Sequence, residues 1–200
     1  MTESNEPKKK EQPAVEQPKK SVGRELWEFA KVVFFALLIA IPIRYFIAQP
    51  FIVRGQSMEP SFEDKEYLII DELTYQFRDP ERGEVIVFRF PGDTSEFFIK
   101  RIIGLPGEKI TVEDGKIRIY DPAQGKEFIL DESYLPPSLE TGPEKAYALE
   151  ENKYLVLGDN RRNSSDSRIW GPLDKRFITG RAVFRAWPPS KFGLIPEVSY

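Results

Sequence analysis

The sequence predicts a mainly β protein: antiparallel sheets forming a barrel-like domain with an inserted, looser β lobe, preceded by one N-terminal transmembrane helix. Three observations predict it. Residues 29–48 are apolar almost throughout, and Val32-Val33-Phe34-Phe35-Ala36-Leu37-Leu38-Ile39-Ala40-Ile41 carries no charge. Beyond them, short runs rich in β-branched and aromatic residues recur between clusters of Gly, Pro, Asn and Asp. No helical period of useful length follows the apolar stretch.

Taken in order, residues 1–23 are rich in Lys, Glu, Gln and Pro and nearly free of large apolar side chains. Such a segment buries too little to offset the entropy of ordering, and it reads as a disordered cytoplasmic tail. Residues 24–48 read as a signal-anchor helix, since about 20 residues at ~1.5 Å rise span a bilayer core of about 30 Å. Trp27 and Tyr45 suit its interfaces, and Lys31 and Arg44 can reach headgroups from its ends. Lys19, Lys20, Arg24 and Lys31 precede or open the helix, against Arg54 and Lys65 after it. That bias keeps the N-terminus in the cytoplasm and sets residues 49–200 outside a cell membrane crossed once.

The β texture begins with Tyr67-Leu68-Ile69-Ile70 and continues through Glu84-Val85-Ile86-Val87-Phe88-Arg89-Phe90, Phe97-Phe98-Ile99-Lys100-Arg101-Ile102-Ile103 and Lys153-Tyr154-Leu155-Val156-Leu157. Asp114-Gly115 between two alternating runs predicts a hairpin closed by a type I′ turn. Residues 121–151 are polar, contain prolines and offer few strand candidates, so the lobe expected over about 110–152 is the looser part.

Composition narrows the chemistry. The 29 basic and 32 acidic residues give a formal charge of -3, which argues against a nucleic-acid partner. Cysteine is absent, so no disulfide, thiol nucleophile or thiolate metal site is available. Histidine is absent too, which removes the commonest general base and every Ser-His-Asp triad. No Asp/Glu spacing matches a calcium loop or a two-metal site, and neither metal nor cofactor is expected.

Within those limits three stretches stand out. Ser57 lies in Arg54-Gly55-Gln56-Ser57-Met58-Glu59-Pro60-Ser61, where a turn can aim both its hydroxyl and its amide N–H at one reacting atom. The other reading is an ordinary polar turn leaving the anchor. Lys100 interrupts an otherwise apolar strand, sharing a face with Phe98 and Ile102 by alternation. Desolvation there would lower its pKa toward the range in which the free amine accepts a proton, whereas an edge lysine guarding against aggregation would stay charged. The third stretch, Gly158-Asp159-Asn160-Arg161-Arg162-Asn163-Ser164-Ser165-Asp166-Ser167-Arg168, is too polar for a core element. It reads as a loop held rigid by charge-assisted hydrogen bonds, or else as a hydrophilic turn.

Together these stretches resemble bacterial type I signal peptidase, the leader peptidase family of membrane-anchored Ser/Lys endopeptidases. The resemblance runs from the anchor to about Pro172 through four ordered boxes. They are Gly55-x-Ser57-Met58-x-Pro60, then Arg82-Gly83-Glu84-Val85-Ile86-Val87-Phe88, then Lys100-Arg101-Ile102-Ile103-Gly104-Leu105-Pro106-Gly107-Glu108, then Gly158-Asp159-Asn160-Arg161 with Asn163-Ser164-x-Asp166-Ser167-Arg168. The resemblance implies Ser57 as nucleophile, Lys100 as general base, and Ser164 orienting Lys100. It also implies that Asp159, Arg101, Asp166 and Arg168 brace the loop by ion pairs. Two departures stand out: Ser61 replaces the family's usual Thr, and Gly55 replaces a serine that in some members helps the Ser57 N–H bind the oxyanion.

The implied substrate is a preprotein signal peptide cut after a small-x-small (Ala-x-Ala) site. It would lie as an added strand along Ile52, Val53, Met58, Phe98 and Ile99. Ser57 follows Ala48 by nine residues, at most about 30 Å of extended chain, which keeps the site at the bilayer surface. Trp187-Pro188-Pro189 and Phe192 form an apolar patch suited to that surface. The rivals are a Ser/Lys peptidase with a narrower task, such as pilin processing, and a tethered β domain that binds extended peptides without cutting them.

Overall fold

The structure, a computed structural model, describes residues 22–42 and 48–198. It falls into two compact units, a helical segment and a β domain. The tail expected over 1–23 lies almost wholly outside the described residues, as do residues 43–47 of the expected anchor.

Helix α1 spans Val22–Pro42, beginning two residues before the expected start. Its apolar side chains, among them Trp27, Phe29, Phe34, Leu37, Leu38 and Ile39, are exposed. Among the described residues no helix is long and apolar enough to cross a membrane. The physical reason is charge: each 18-residue window within α1 contains Glu25, Glu28 and Lys31. Lys31 and Glu28 offset each other in part through an ion pair of 2.8 Å.

The β domain is mainly antiparallel sheet. Its larger sheet has eight strands, with the order β1 (Ala48–Ile52), β2 (Tyr67–Asp71), β11 (Ile178–Trp187), β3 (Val85–Phe90), β4 (Asp93–Gly104), β9 (Lys153–Leu157) and β10 (Leu173–Asp174), and β12 (Gly193–Leu194) pairs with β11. The smaller sheet runs β7 (Lys126–Ile129), β6 (Lys116–Asp121), β5 (Lys109–Glu113) and β8 (Lys145–Ala148). A short helix α2 (Ser167–Trp170) follows β9.

Three apolar cores explain why some strands read as unbroken apolar runs. In β3, Val85 and Val87 enter a core with Val53, Met58, Phe62, Leu68 and Ile70. The alternate residues Ile86 and Phe88 enter a second core with Ile102, Tyr154 and Val156. A strand buried on both faces has no polar side to show. Strand β9 repeats the pattern, sending Tyr154 and Val156 one way and Leu155 and Leu157 into the core of the smaller sheet. Gly104 ends β4 where a Cβ would collide with Ile110 and Leu149 of that core.

The Asp114-Gly115 hairpin has the expected turn: φ is positive at both residues, 48° and 73°, and Glu113 pairs with Lys116. The rest of the lobe differs from the expectation of loose structure. Strands β7 and β8 complete a sheet over a core that includes Ile110, Ile117, Ile119, Leu130, Tyr147 and Leu149. Both are edge strands, and β7 is exposed along its whole length, so neither needed the apolar alternation by which strands are found in sequence.

Candidate active site

The turn between β1 and β2 holds Ser57 above a buried residue. Met58 is 1% exposed and packs in the core below, anchoring the turn. Successive side chains diverge here, so Ser57 is half-buried at the surface of the turn where Met58, expected to contact a bound peptide, lies in the core beneath it. Gly55 takes a left-handed φ of 80°, and its N–H donates to Asp64 Oδ1 at 2.9 Å. The Phe62 N–H donates to the Met58 carbonyl at 2.9 Å, closing the turn.

Lys100 reaches this turn from β4. Its Nζ lies 2.8 Å from Ser57 Oγ and 2.7 Å from the Ile99 carbonyl, which accepts from it. The residue is 3% exposed, and Nζ stands 5.4 Å from the Phe98 ring centre. Burial pushes the amine down to about 8, against the opposing pull of Asp166 and Asp159. In the free amine the contact reverses: the Ser57 hydroxyl donates and the nitrogen lone pair accepts.

The loop after β9 closes the arrangement. Asp159 is fully buried and binds Arg101 in a forked pair, Nε to Oδ1 at 2.9 Å and Nη2 to Oδ2 at 2.6 Å. Asp166 pairs with Arg168 at 2.8 Å and accepts the Gly158 N–H at 3.0 Å. Burial alone would raise the Asp166 carboxyl, but the Arg168 guanidinium and the Gly158 N–H hold it below the usual carboxylate range. Ser164 departs from expectation: its buried Oγ makes no hydrogen bond to Lys100. It sits against Gly158 instead, close enough to Asp166 to help hold that carboxylate ionised.

Sequence reasoning missed the role of Asn160. Its N–H donates to the Ser57 carbonyl at 3.1 Å, and its Nδ2 donates to the Gln56 carbonyl at 3.0 Å. Gly158 beside it has no room for a side chain, since a Cβ would collide with the Ser57 carbonyl and with Ser164. Neither contact leaves a pattern in a single sequence, because the partners lie about a hundred positions apart.

Ser57 and Lys100 open into a groove of about 720 Å³ between β1 and the first half of β4. Ile52, Val53, Phe98 and Ile99 line it, with Leu68 and Val87 from the core beneath. Among the described residues β1 pairs only with β2, and β4 meets β9 only from Arg101 onward, so both groove walls carry backbone groups without a strand partner there. Such walls suit an extended chain bound as an added strand.

The sequence pattern of the family described as signal peptidase, peptidase S26, matches residues 26–187, taking in every residue of the candidate site. The chain belongs to this family. It is 41% identical over 188 residues to a probable signal peptidase I-2 of Synechocystis sp., covering 90% of this chain and 82% of that one. It is 40% identical over 200 residues to a signal peptidase I of Leptolyngbya laminosa, covering 94% and 93%. A crystal structure of a signal peptidase I from Enterococcus faecalis aligns over 52% of this chain and 97% of that one, at 27% identity and a TM-score of 0.44. As a signal peptidase of type I, the chain is a peptidase, and its substrates are preproteins that bear signal peptides.

Proposed function

We propose that this signal peptidase is a membrane-anchored serine endopeptidase that cuts preproteins after small-x-small sites, with Ser57 as nucleophile and Lys100 as general base. The observation that carries the reading is the 2.8 Å contact between the Ser57 hydroxyl and a buried, desolvated lysine at the floor of a strand-shaped groove. As Oγ attacks the scissile carbonyl carbon, Lys100 takes its proton. The ammonium then gives that proton to the departing amine, leaving an ester on Ser57. Lys100 next deprotonates a water that attacks the ester, and the acid product leaves with Ser57 restored. The Ser57 N–H bears on the oxyanion. Gly55 supplies no second donor, having no side chain and an N–H engaged by Asp64, so we assign that role to a groove water.

The groove itself favours small residues near the cut. Ile52, Val53 and Ile99 narrow it, and a peptide paired with either wall alternates its side chains toward that apolar floor. The test is direct: an Ala-x-Ala preprotein incubated with the detergent-solubilised protein should give one new N-terminus immediately after the second alanine. Ser57→Ala should give none, and cleavage at unrelated positions would sink the specificity.

Membrane anchoring rests on α1, whose apolar side chains are exposed among the described residues. In the β domain an apolar row supports contact with the bilayer surface. Ile52, Tyr67 and Trp187 are register neighbours across β1, β2 and β11, and all three are exposed, as are Phe192 and Leu194. The domain lacking α1 should therefore bind liposomes, and Trp187→Ala should weaken binding several-fold. Undiminished binding would count against this surface.

A further inference from the structure

The smaller sheet is joined to the larger one by a guanidinium with no access to water. Arg161 follows Asp159 and Asn160 in the loop after β9, and its side chain is 0% exposed. Burying such a charge is costly unless every donor is met. Here all five are. Nε donates to the Gly158 carbonyl at 3.1 Å, Nη1 to Glu132 Oε2 at 2.9 Å and to Thr141 Oγ1, and Nη2 to Glu132 Oε1 at 2.5 Å and to the Tyr134 hydroxyl at 3.2 Å.

Glu132, Tyr134 and Thr141 belong to the segment between β7 and β8, tied to the smaller sheet at several points. Leu130 and Leu135 are buried, the Leu130 N–H donates to Ile117, and the Thr141 N–H donates to Gly115. The Tyr134 ring also lies 4.2 Å beneath the Arg101 guanidinium, beside Lys100 in the chain. On the other side of Arg161, Asn160 grips the carbonyls of Gln56 and Ser57. Asp159 grips Arg101.

We infer that the inserted sheet is a positioning device for the active site: Glu132, Tyr134 and Thr141 clasp Arg161 and thereby fix the loop that spaces the Ser57 turn from the Lys100 strand. The inference rests on the Ser57/Lys100 reading above. None of the three touches the groove or the reacting atoms, so they are positioning residues. The charged groups acting on Lys100 are Asp166 and Asp159, both on the clasped loop. Loosening the clasp admits water, and since burial is the largest influence on Lys100, its pKa rises toward 10.5.

The test uses the full-length enzyme with a preprotein substrate and compares pH profiles of kcat and kcat/KM for wild type, the double variant Glu132→Gln/Tyr134→Phe, and Glu127→Gln, an exposed control in β7. The double variant should lose about a hundredfold in kcat near neutral pH, the scale expected for an ångström of misplacement, with little change in KM. Its rising limb should move to higher pH, so that activity recovers in alkali. Loss of stability alone would not move that limb. An unchanged kcat and limb would overturn the inference. If the double variant does not fold, Thr141→Val, which removes one acceptor from Arg161 and preserves shape, should shift the limb in the same direction, and no shift there overturns it. A wild type with no rising limb at all would instead overturn the Ser57/Lys100 reading, and this inference with it.

Discussion

Replacing Lys100 with alanine should abolish preprotein cleavage, lowering kcat/KM at pH 8 by at least about a thousandfold, while the protein folds as well as before or better. The activity loss follows from composition as much as from geometry: with no histidine or cysteine in the chain, the buried amine 2.8 Å from Ser57 Oγ has no substitute of suitable basicity within reach. The stability gain follows from the same burial. A lysine whose pKa falls from 10.5 to about 8 on folding prefers to be neutral in the native state. Between about pH 8 and 10.5 the unfolded chain therefore binds more protons than the folded one, and stability rises with pH across that window. Below it the folded protein bears a penalty on the order of 3 kcal/mol, at about 1.4 kcal/mol per pKa unit. Lys100→Met fills the space without the charge, so at pH 7 it should raise the melting temperature and eliminate activity. A variant that is inactive because it unfolds would show the opposite thermal shift.

The largest loss of stability is expected from Asp159→Ala. Arg101 and Asp159 have side chains that are 4% and 0% exposed, and removing the carboxylate takes from the buried guanidinium both bonds of the forked pair and the counter-charge they carry. Stranding one member of a buried pair costs about 3–5 kcal/mol. For a domain of this size that is a fall in melting temperature of about 10 °C or more. Apolar replacement of both, Arg101→Met with Asp159→Leu, should recover much of the stability, because neither charge then needs solvation. Activity should not return with it, since Asp159 also orders the loop whose Asn160 holds the Ser57 carbonyl. Calorimetry of the single and double variants checks both statements, and a melting temperature unchanged in Asp159→Ala would refute the first.

Much of the architecture was legible in the residues, for identifiable reasons. Strands β3 and β9 are buried on two faces, and their continuous apolar runs advertise it. The Asp114-Gly115 turn needs positive φ at both positions, which few residue pairs tolerate. Lys100 was conspicuous because a charge inside an apolar strand must be compensated or functional. Strands β7 and β8 escaped notice because each is only four residues long, and only Leu130, Tyr147 and Leu149 from their neighbourhood reach the core. Arg161 and Glu132 were illegible for a different reason: a buried ion pair 29 positions apart has no local period. The burial of Met58 was not legible either, because adjacency to Ser57 in sequence says nothing about which way the next side chain points. Ser164 was assigned to Lys100 by resemblance, and its Oγ lies against Gly158.

The central claim is that a neutral lysine activates Ser57, and the pH dependence of kcat/KM for an Ala-x-Ala preprotein tests it most directly. The free-enzyme profile should rise tenfold per pH unit below a single apparent pKa near 8, and level above it, as Lys100 loses its proton. A profile flat from pH 6 to 9, or one whose rising limb persists unchanged in Lys100→Ala, would contradict it.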